Sequence, residues 1–217
     1  MVNAKNYSEQ GMTMKGVFIC IEGLDGSGKS TQAKLLTKKL CKAGYDAVFT
    51  AEPSQGKIGK FIRKRLFEQE RMPTTVEALL FAADRIEHVQ NTVLPALKEG
   101  KIVISDRYVY SSLAYQGSAG LNLDWIETIN KHAQRPDLSI FIDVAPEVVL
   151  ERLKRKKSVM EVLQTQRKVH EIYKKYLEKG ELKRVDGAKS KNEVLEALYA
   201  EVLGFLSNWR QKSMESL

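Results

Sequence analysis

The sequence predicts an α/β fold, a five-stranded parallel sheet with helices on both faces. Two patterns carry the prediction. Five short apolar runs, 17–21, 47–50, 102–104, 138–142 and 182–185, alternate with stretches of helical periodicity, and strands that alternate with helices build a parallel, doubly wound sheet. The first and fourth runs are almost wholly apolar, as strands covered on both faces must be. In such sheets ligands bind beyond the carboxyl ends of the strands.

The elements follow in order. After the first strand, 29–43 reads as a helix with Ala33, Leu36 and Leu40 on one face, and Gly44 is placed to end it. Beyond the second strand, Thr74-Thr75-Val76-Glu77 has the pattern of a capping box opening a helix through about Leu94. After the last strand, Ser190-Lys191-Asn192-Glu193 repeats that pattern, with Val194, Leu198 and Val202 as the apolar stripe. The 217 residues suit one domain over 15–210, preceded by a polar extension, 1–14, and followed by a short tail, 211–217.

Composition narrows the setting. No stretch approaches the roughly 20 apolar residues of a membrane helix, so no membrane partner is expected. Met1 to Met14 lacks the apolar core of a signal peptide. Cys20 and Cys41 form neither a disulfide framework nor a zinc pattern, which fits a reducing cytoplasm. His88, His132 and His170 show no metal spacing and read as structural or surface residues. The net charge of +8 suits nucleic acid and nucleotide phosphates equally.

Gly23-Leu24-Asp25-Gly26-Ser27-Gly28-Lys29-Ser30 matches G-x-x-x-x-G-K-[ST] in full, after a predicted strand and at the head of a predicted helix. The glycines let the backbone curl so that its N–H groups face an anion, and the helix N-terminus adds positive potential. Lys29 is suited to the β- and γ-phosphates of a nucleotide, and the Ser30 hydroxyl to Mg²⁺. This is the signature of the P-loop NTPase fold. A guanine-reading N-K-x-D motif is missing, since Asn130-Lys131-His132-Ala133 ends without the aspartate.

Two further clusters face the same edge. The third strand ends in Asp106-Arg107-Tyr108: an acid at a strand tip beside a P-loop can hold Mg²⁺ through water, and the adjacent arginine can pair with a phosphate. Residues 152–157 carry Arg152, Lys154, Arg155, Lys156 and Lys157. The bland reading of such a run is a solvated basic face. The functional one is a small mobile lid, about 151–163, that brings cations to the transferring phosphoryl group. A nucleic-acid patch is disfavoured because no aromatics are interleaved for base stacking.

Taken together, Ile21 to Gln32, Glu52-Pro53, Leu79-Leu80-Phe81-Ala82-Ala83-Asp84-Arg85, Asp106-Arg107-Tyr108 running into Ser111-Ser112-Leu113-Ala114-Tyr115-Gln116-Gly117, and Arg135-Pro136-Asp137-Leu138 resemble the thymidylate kinases from about Lys15 to the C-terminal helix. The resemblance implies the reaction ATP + dTMP ⇌ ADP + dTDP with Mg²⁺, no nucleic-acid or membrane partner, and a homodimer. It implies that ATP lies on Gly23 through Thr31, with the loop 186–189 ending in Lys189 flanking adenine. Phe81 would stack on the thymine, with Arg85 bonding the base from the same helix face. Asp25 would sit by the 3′-hydroxyl, Arg107 on the acceptor phosphate, and Ser112 and Gln116 at the base edge. Tyr115 would fill the space beside the sugar's 2′ carbon. Glu52-Pro53 would shape the acceptor-phosphate site, its peptide bond a candidate for cis.

One stretch departs from the family. The lid's usual Asp-Arg pair is missing from 159–163, which reads Val-Met-Glu-Val-Leu. Because Asp25, Gly26 and Ser27 of the P-loop offer no cation, the lid must supply it, with Arg152 and Arg155 as the candidates. Another nucleoside monophosphate kinase, a nucleic-acid-binding P-loop ATPase and a nucleotide-binding module without turnover are the competing readings.

Overall fold

A computed structural model describes residues 16–66, 68, 72–152 and 163–215. Its strands are β1 (Val17–Gly23), β2 (Ala47–Ala51), β3 (Ile102–Asp106), β4 (Leu138–Asp143) and β5 (Lys183–Asp186). They form one parallel sheet in the order β2-β3-β1-β4-β5. The most apolar runs take the centre: every residue of β1 and β3 is buried, while β2 and β5 at the edges are partly exposed. The registers Ile21↔Asp106 and Ala51↔Asp106 bring the carboxyl ends of β1, β2 and β3 level.

The helices are α1 (Lys29–Lys42), α2 (Lys57–Leu66), α3 (Thr74–His88), α4 (Leu94–Lys98), α5 (Val109–Ser118), α6 (Leu123–Ile129), α7 (Pro146–Arg152), α8 (Leu163–Glu178) and α9 (Lys191–Glu215). Ala33, Leu36 and Leu40 bury the expected face of α1. Gly44, at φ 89°, ends the helix, and the N–H of Tyr45 reaches back to the Leu40 carbonyl. The capping box of α9 is present: Ser190 Oγ accepts from Glu193 N at 3.3 Å, and Glu193 Oε2 accepts from Ser190 N at 3.0 Å. The helix α9 runs on to Glu215, so the expected C-terminal tail begins as its last turn.

Two expectations need correction. Thr74 does not cap α3. Pro73, with ψ 136°, occupies that position, no side chain caps the helix, and Glu77 is bonded to Gln116 instead. The α-helix also stops at His88, where a π-helical turn, Val89–Val93, leads into α4. Pro95 accounts for the interruption, because it has no N–H to give and its ring crowds the preceding turn. No helix among the described residues is long and apolar enough to cross a membrane.

Candidate active site

The P-loop joins β1 to α1. Gly26 and Gly28 adopt φ of 92° and 90°, a left-handed conformation that glycine enters without steric cost. A Cβ on Gly23 would fall 2.5 Å from Ser27 Oγ and 3.2 Å from the Ile142 carbonyl, so a larger residue there would have to displace the Ser27 side chain. Lys29 is buried, donating to the Leu24 carbonyl at 3.1 Å and pairing with Asp25 Oδ1 at 3.3 Å. Ser30 and Thr31 are exposed on the first turn of α1.

Arg107 faces this loop from the tip of β3. It is the one described non-glycine residue with positive φ, 72°, a conformation costing on the order of 1–3 kcal/mol and held only where the surroundings enforce it. Its N–H donates to Ile21 O, and Ser105 Oγ donates to its carbonyl. Its guanidinium bonds the Asp25 carboxylate and donates to Ser111 Oγ at 3.1 Å. Asp25 thus lies between two cations. Burial pushes its carboxyl up, but the charges of Arg107 and Lys29 outweigh this and hold it well below the usual carboxylate range. Burial and the nearby Arg107 charge lower the pKa of Lys29.

Asp106 is buried beside the P-loop, and its Oδ1 has no hydrogen-bond partner, nor has Ser27 Oγ. A buried carboxylate oxygen left unpaired is costly, and a hydrated divalent cation would satisfy it. The donor set, Asp106 with the Ser30 hydroxyl, is the hard oxygen chemistry that Mg²⁺ takes.

The residues expected at the acceptor are carried by α3 and α5, which pack together. Arg85 donates from Nη2 to Ser112 Oγ at 3.1 Å, and Gln116 donates from Nε2 to Glu77 Oε1 at 2.9 Å. Phe81, half-buried, lies one helical turn from both Glu77 and Arg85 on the same face of α3. Arg85 is more deeply engaged than a base-reading arginine needs to be. It is 1% exposed, forks onto Glu52 Oε2 at 3.0 and 2.7 Å, bonds Asn130, and lies 5.1 Å from the Tyr108 ring centroid.

The loop after β2 is held by α3 residue by residue. Glu52-Pro53 is cis. Glu52 takes Arg85 on one oxygen and His88 Nδ1 on the other, at 3.1 Å, and His88 Nε2 bonds Thr50. Asp84, fully buried, accepts from Ser54 N at 2.7 Å and from Ser54 Oγ. His88 is therefore structural, as expected, whereas His132 lies at the surface. His170 bonds Asp143 Oδ1 at 2.7 Å.

Lys189 is exposed in the loop after β5. Gly187 in that loop packs so closely that a Cβ would meet Val144 Cγ2 at 2.4 Å. Arg152 ends α7 with both terminal nitrogens 3.2 Å from the Gly187 carbonyl. That contact ties it to the loop after β5. Arg155, most of the lid expected at 151–163, and the N-terminal extension lie outside the described residues. Sequence reasoning gave Glu22, Asp84 and His88 no site role, and the signal for Glu22 was a lone acid closing an apolar strand.

The family model described as thymidylate kinase matches residues 21–198. A probable thymidylate kinase of Pyrococcus horikoshii is 42% identical over 203 residues, covering 90% of this chain and 98% of that protein. One of Pyrococcus abyssi is 44% identical over 198 residues, covering 87% and 97%. A thymidylate kinase of Halothermothrix orenii is 38% identical over 205 residues, covering 89% and 99%.

Proposed function

The chain belongs to the thymidylate kinase family, and on that premise we propose that it transfers the γ-phosphate of ATP to dTMP, giving ADP and dTDP. The observation that carries the reading is the contact of Asp25 with both Lys29 and Arg107. It joins a phosphate-binding lysine to an arginine beside a helix pair suited to a pyrimidine. The carboxylate neutralises two cations that would otherwise repel. On binding, the γ-phosphate takes Lys29 and the acceptor phosphate takes Arg107. The two anions are then drawn together, and positioning with charge neutralisation supplies the catalysis. Mg²⁺, held by Ser30 and through water by Asp106, would add charge stabilisation on the phosphates.

Phe81 stacks on the thymine, Ser112 and Gln116 lie at its edge, and Glu52-Pro53 shapes the phosphate end. Arg85 serves the base from a guanidinium already fixed by Glu52. Leu24, the P-loop glycines and Ser27 line the ATP phosphates, and Lys189 flanks adenine. Arg155 is the stronger candidate for the lid cation, because Arg152 is already tied to Gly187. The protein acts in the cytoplasm as a homodimer. In support of a second copy, Phe61 and Leu66 of α2 and Val76 and Leu79 of α3 are large apolar side chains left exposed on two helices that pack together.

A coupled assay of ADP formation tests the reading. The order of kcat/KM should be dTMP above dUMP, with UMP, CMP, AMP and GMP far below. Preference for a ribonucleotide or a purine would refute it.

A further inference from the structure

Glu22 takes no part in the chemistry above, yet it is among the most heavily bonded carboxylates of the described chain. It is the penultimate residue of β1, directly before the first P-loop glycine, and is 0% exposed. Oε1 accepts from the backbone N–H groups of Tyr108 at 2.8 Å and Ser111 at 3.3 Å. Oε2 accepts from the hydroxyls of Ser111 at 2.6 Å and Tyr173 at 2.9 Å. All four partners are donors, which suits an ionised carboxylate, a pure acceptor. Burial pushes its pKa up, opposed by Ser111, Arg107, Tyr173 and the Tyr108 N–H.

Two consequences follow. Tyr108 is the N-cap of α5, and no local side chain caps that helix, so Glu22 does so from another strand and meets its positive end. The second concerns a proton. A serine hydroxyl has one hydrogen to give. Because Ser111 gives it to Glu22, its lone pairs are left for Arg107 Nη1, 3.1 Å away. A line of bonds runs Glu22–Ser111–Arg107–Asp25–Lys29. Tyr173 brings α8, the helix after residues 153–162, to the same carboxylate.

We propose that Glu22 is a positioning residue for the acceptor phosphate: by fixing the Ser111 hydroxyl as an acceptor, it aims the Arg107 guanidinium. This rests on the phosphate-binding role proposed for Arg107.

Glu22→Gln separates aim from fold. The amide keeps the shape and one oxygen for the two backbone N–H groups. Its nitrogen, however, donates to Ser111 Oγ, and the displaced serine proton turns toward Arg107 or toward the Tyr173 hydroxyl, 3.2 Å away. Either way Ser111 is no longer fixed as an acceptor by a charged partner, so the KM for dTMP should rise about ten-fold. The KM for ATP should stay within about two-fold. Ser111→Ala should give the same split, which keeps the test open if Glu22→Gln folds poorly. The double variant should be no worse than the worse single, because both act through one hydroxyl. Equal rises in both KM values, multiplicative effects, or a Ser111→Ala enzyme with wild-type KM for dTMP would overturn the inference. Wild-type turnover of dTMP is measured first. Its absence sinks the proposed function and this inference together, whereas normal turnover with unaffected variants sinks the inference alone.

Discussion

The Tyr115 hydroxyl accepts the backbone N–H of Asp25 at 3.0 Å, so α5 grips the P-loop from outside. The Arg107 guanidinium lies 5.0 Å from the centroid of the same ring. One phenol therefore touches the loop assigned to ATP and the arginine assigned to the acceptor. A shift of α5 on one substrate's arrival would be felt in the other's site, because packed side chains transmit displacement rather than absorb it.

Lys29 is bonded to Leu24 O and to Asp25 Oδ1. Lys29→Ala should lower kcat by about 10²–10³, the cost of one preorganised charge-stabilising group. Thermal unfolding should show the fold retained, because both partners of the ammonium lie within the P-loop itself. Near-normal turnover in the folded variant would remove the phosphate-cradle assignment.

Glu52→Ala should cost stability as well as activity. It strips two bonds from a guanidinium that is 1% exposed and leaves His88 with Thr50 alone. Breaking a buried ion pair by deleting one partner typically costs about 3–5 kcal/mol. Urea denaturation should read a loss of that size with an unchanged slope. A loss near zero would mean that the loop after β2 is not clamped by α3 as described.

Acid should find Asp143 before the P-loop. The hydrogen bond from His170, with Arg184 at 2.6 Å on the other oxygen, lowers its pKa to about 2. A carboxylate depressed in the folded state contributes stability above its unfolded pKa, about 4, and loses it as pH falls toward 2. The Tm advantage of wild type over Asp143→Asn should therefore be full at pH 6 and shrink from about pH 4 downward. A difference independent of pH would show that the pair contributes through packing alone.

The parts legible in the sequence were those whose partners sit close along the chain. The glycine spacing of the P-loop, the Ser190–Glu193 capping box and the apolar stripe of α1 are local patterns, and each forms as read. The clamp on the β2–α2 loop was not legible, since Ser54 meets Asp84 30 residues away. Glu22 meets Tyr173 151 residues away. Arg85 shows how the two kinds of information combine. Its i, i+4 relation to Phe81 is local, but its fork onto Glu52 exists only once β2 and α3 have docked. The capping pattern at Thr74 failed where Pro73 took the N-cap position and Glu77 was bonded to Gln116 on α5, and the helix read through about Leu94 failed at the π-helical turn before Pro95.

Tyr115 carries two roles that two substitutions can separate. Its ring is proposed to fill the space at the sugar's 2′ carbon, while its hydroxyl holds Asp25 N–H. Tyr115→Phe keeps the ring and deletes the acceptor. A neutral hydrogen bond contributes about 0.5–1.5 kcal/mol, so kcat/KM should fall by only a few-fold, with the dUMP-to-UMP ratio unchanged. Tyr115→Ala deletes both. A ribose hydroxyl forced against a packed ring costs about 1–3 kcal/mol, and removing the ring removes that cost. The dUMP-to-UMP ratio should then fall by about ten-fold or more, even as the absolute rates drop. Initial rates with the two uridylates, which differ only at the 2′ position, isolate the ring from every contact to the base. If Tyr115→Phe narrows the ratio as much as Tyr115→Ala, the hydroxyl and its hold on the P-loop set sugar selectivity. The steric account of Tyr115 would then be wrong.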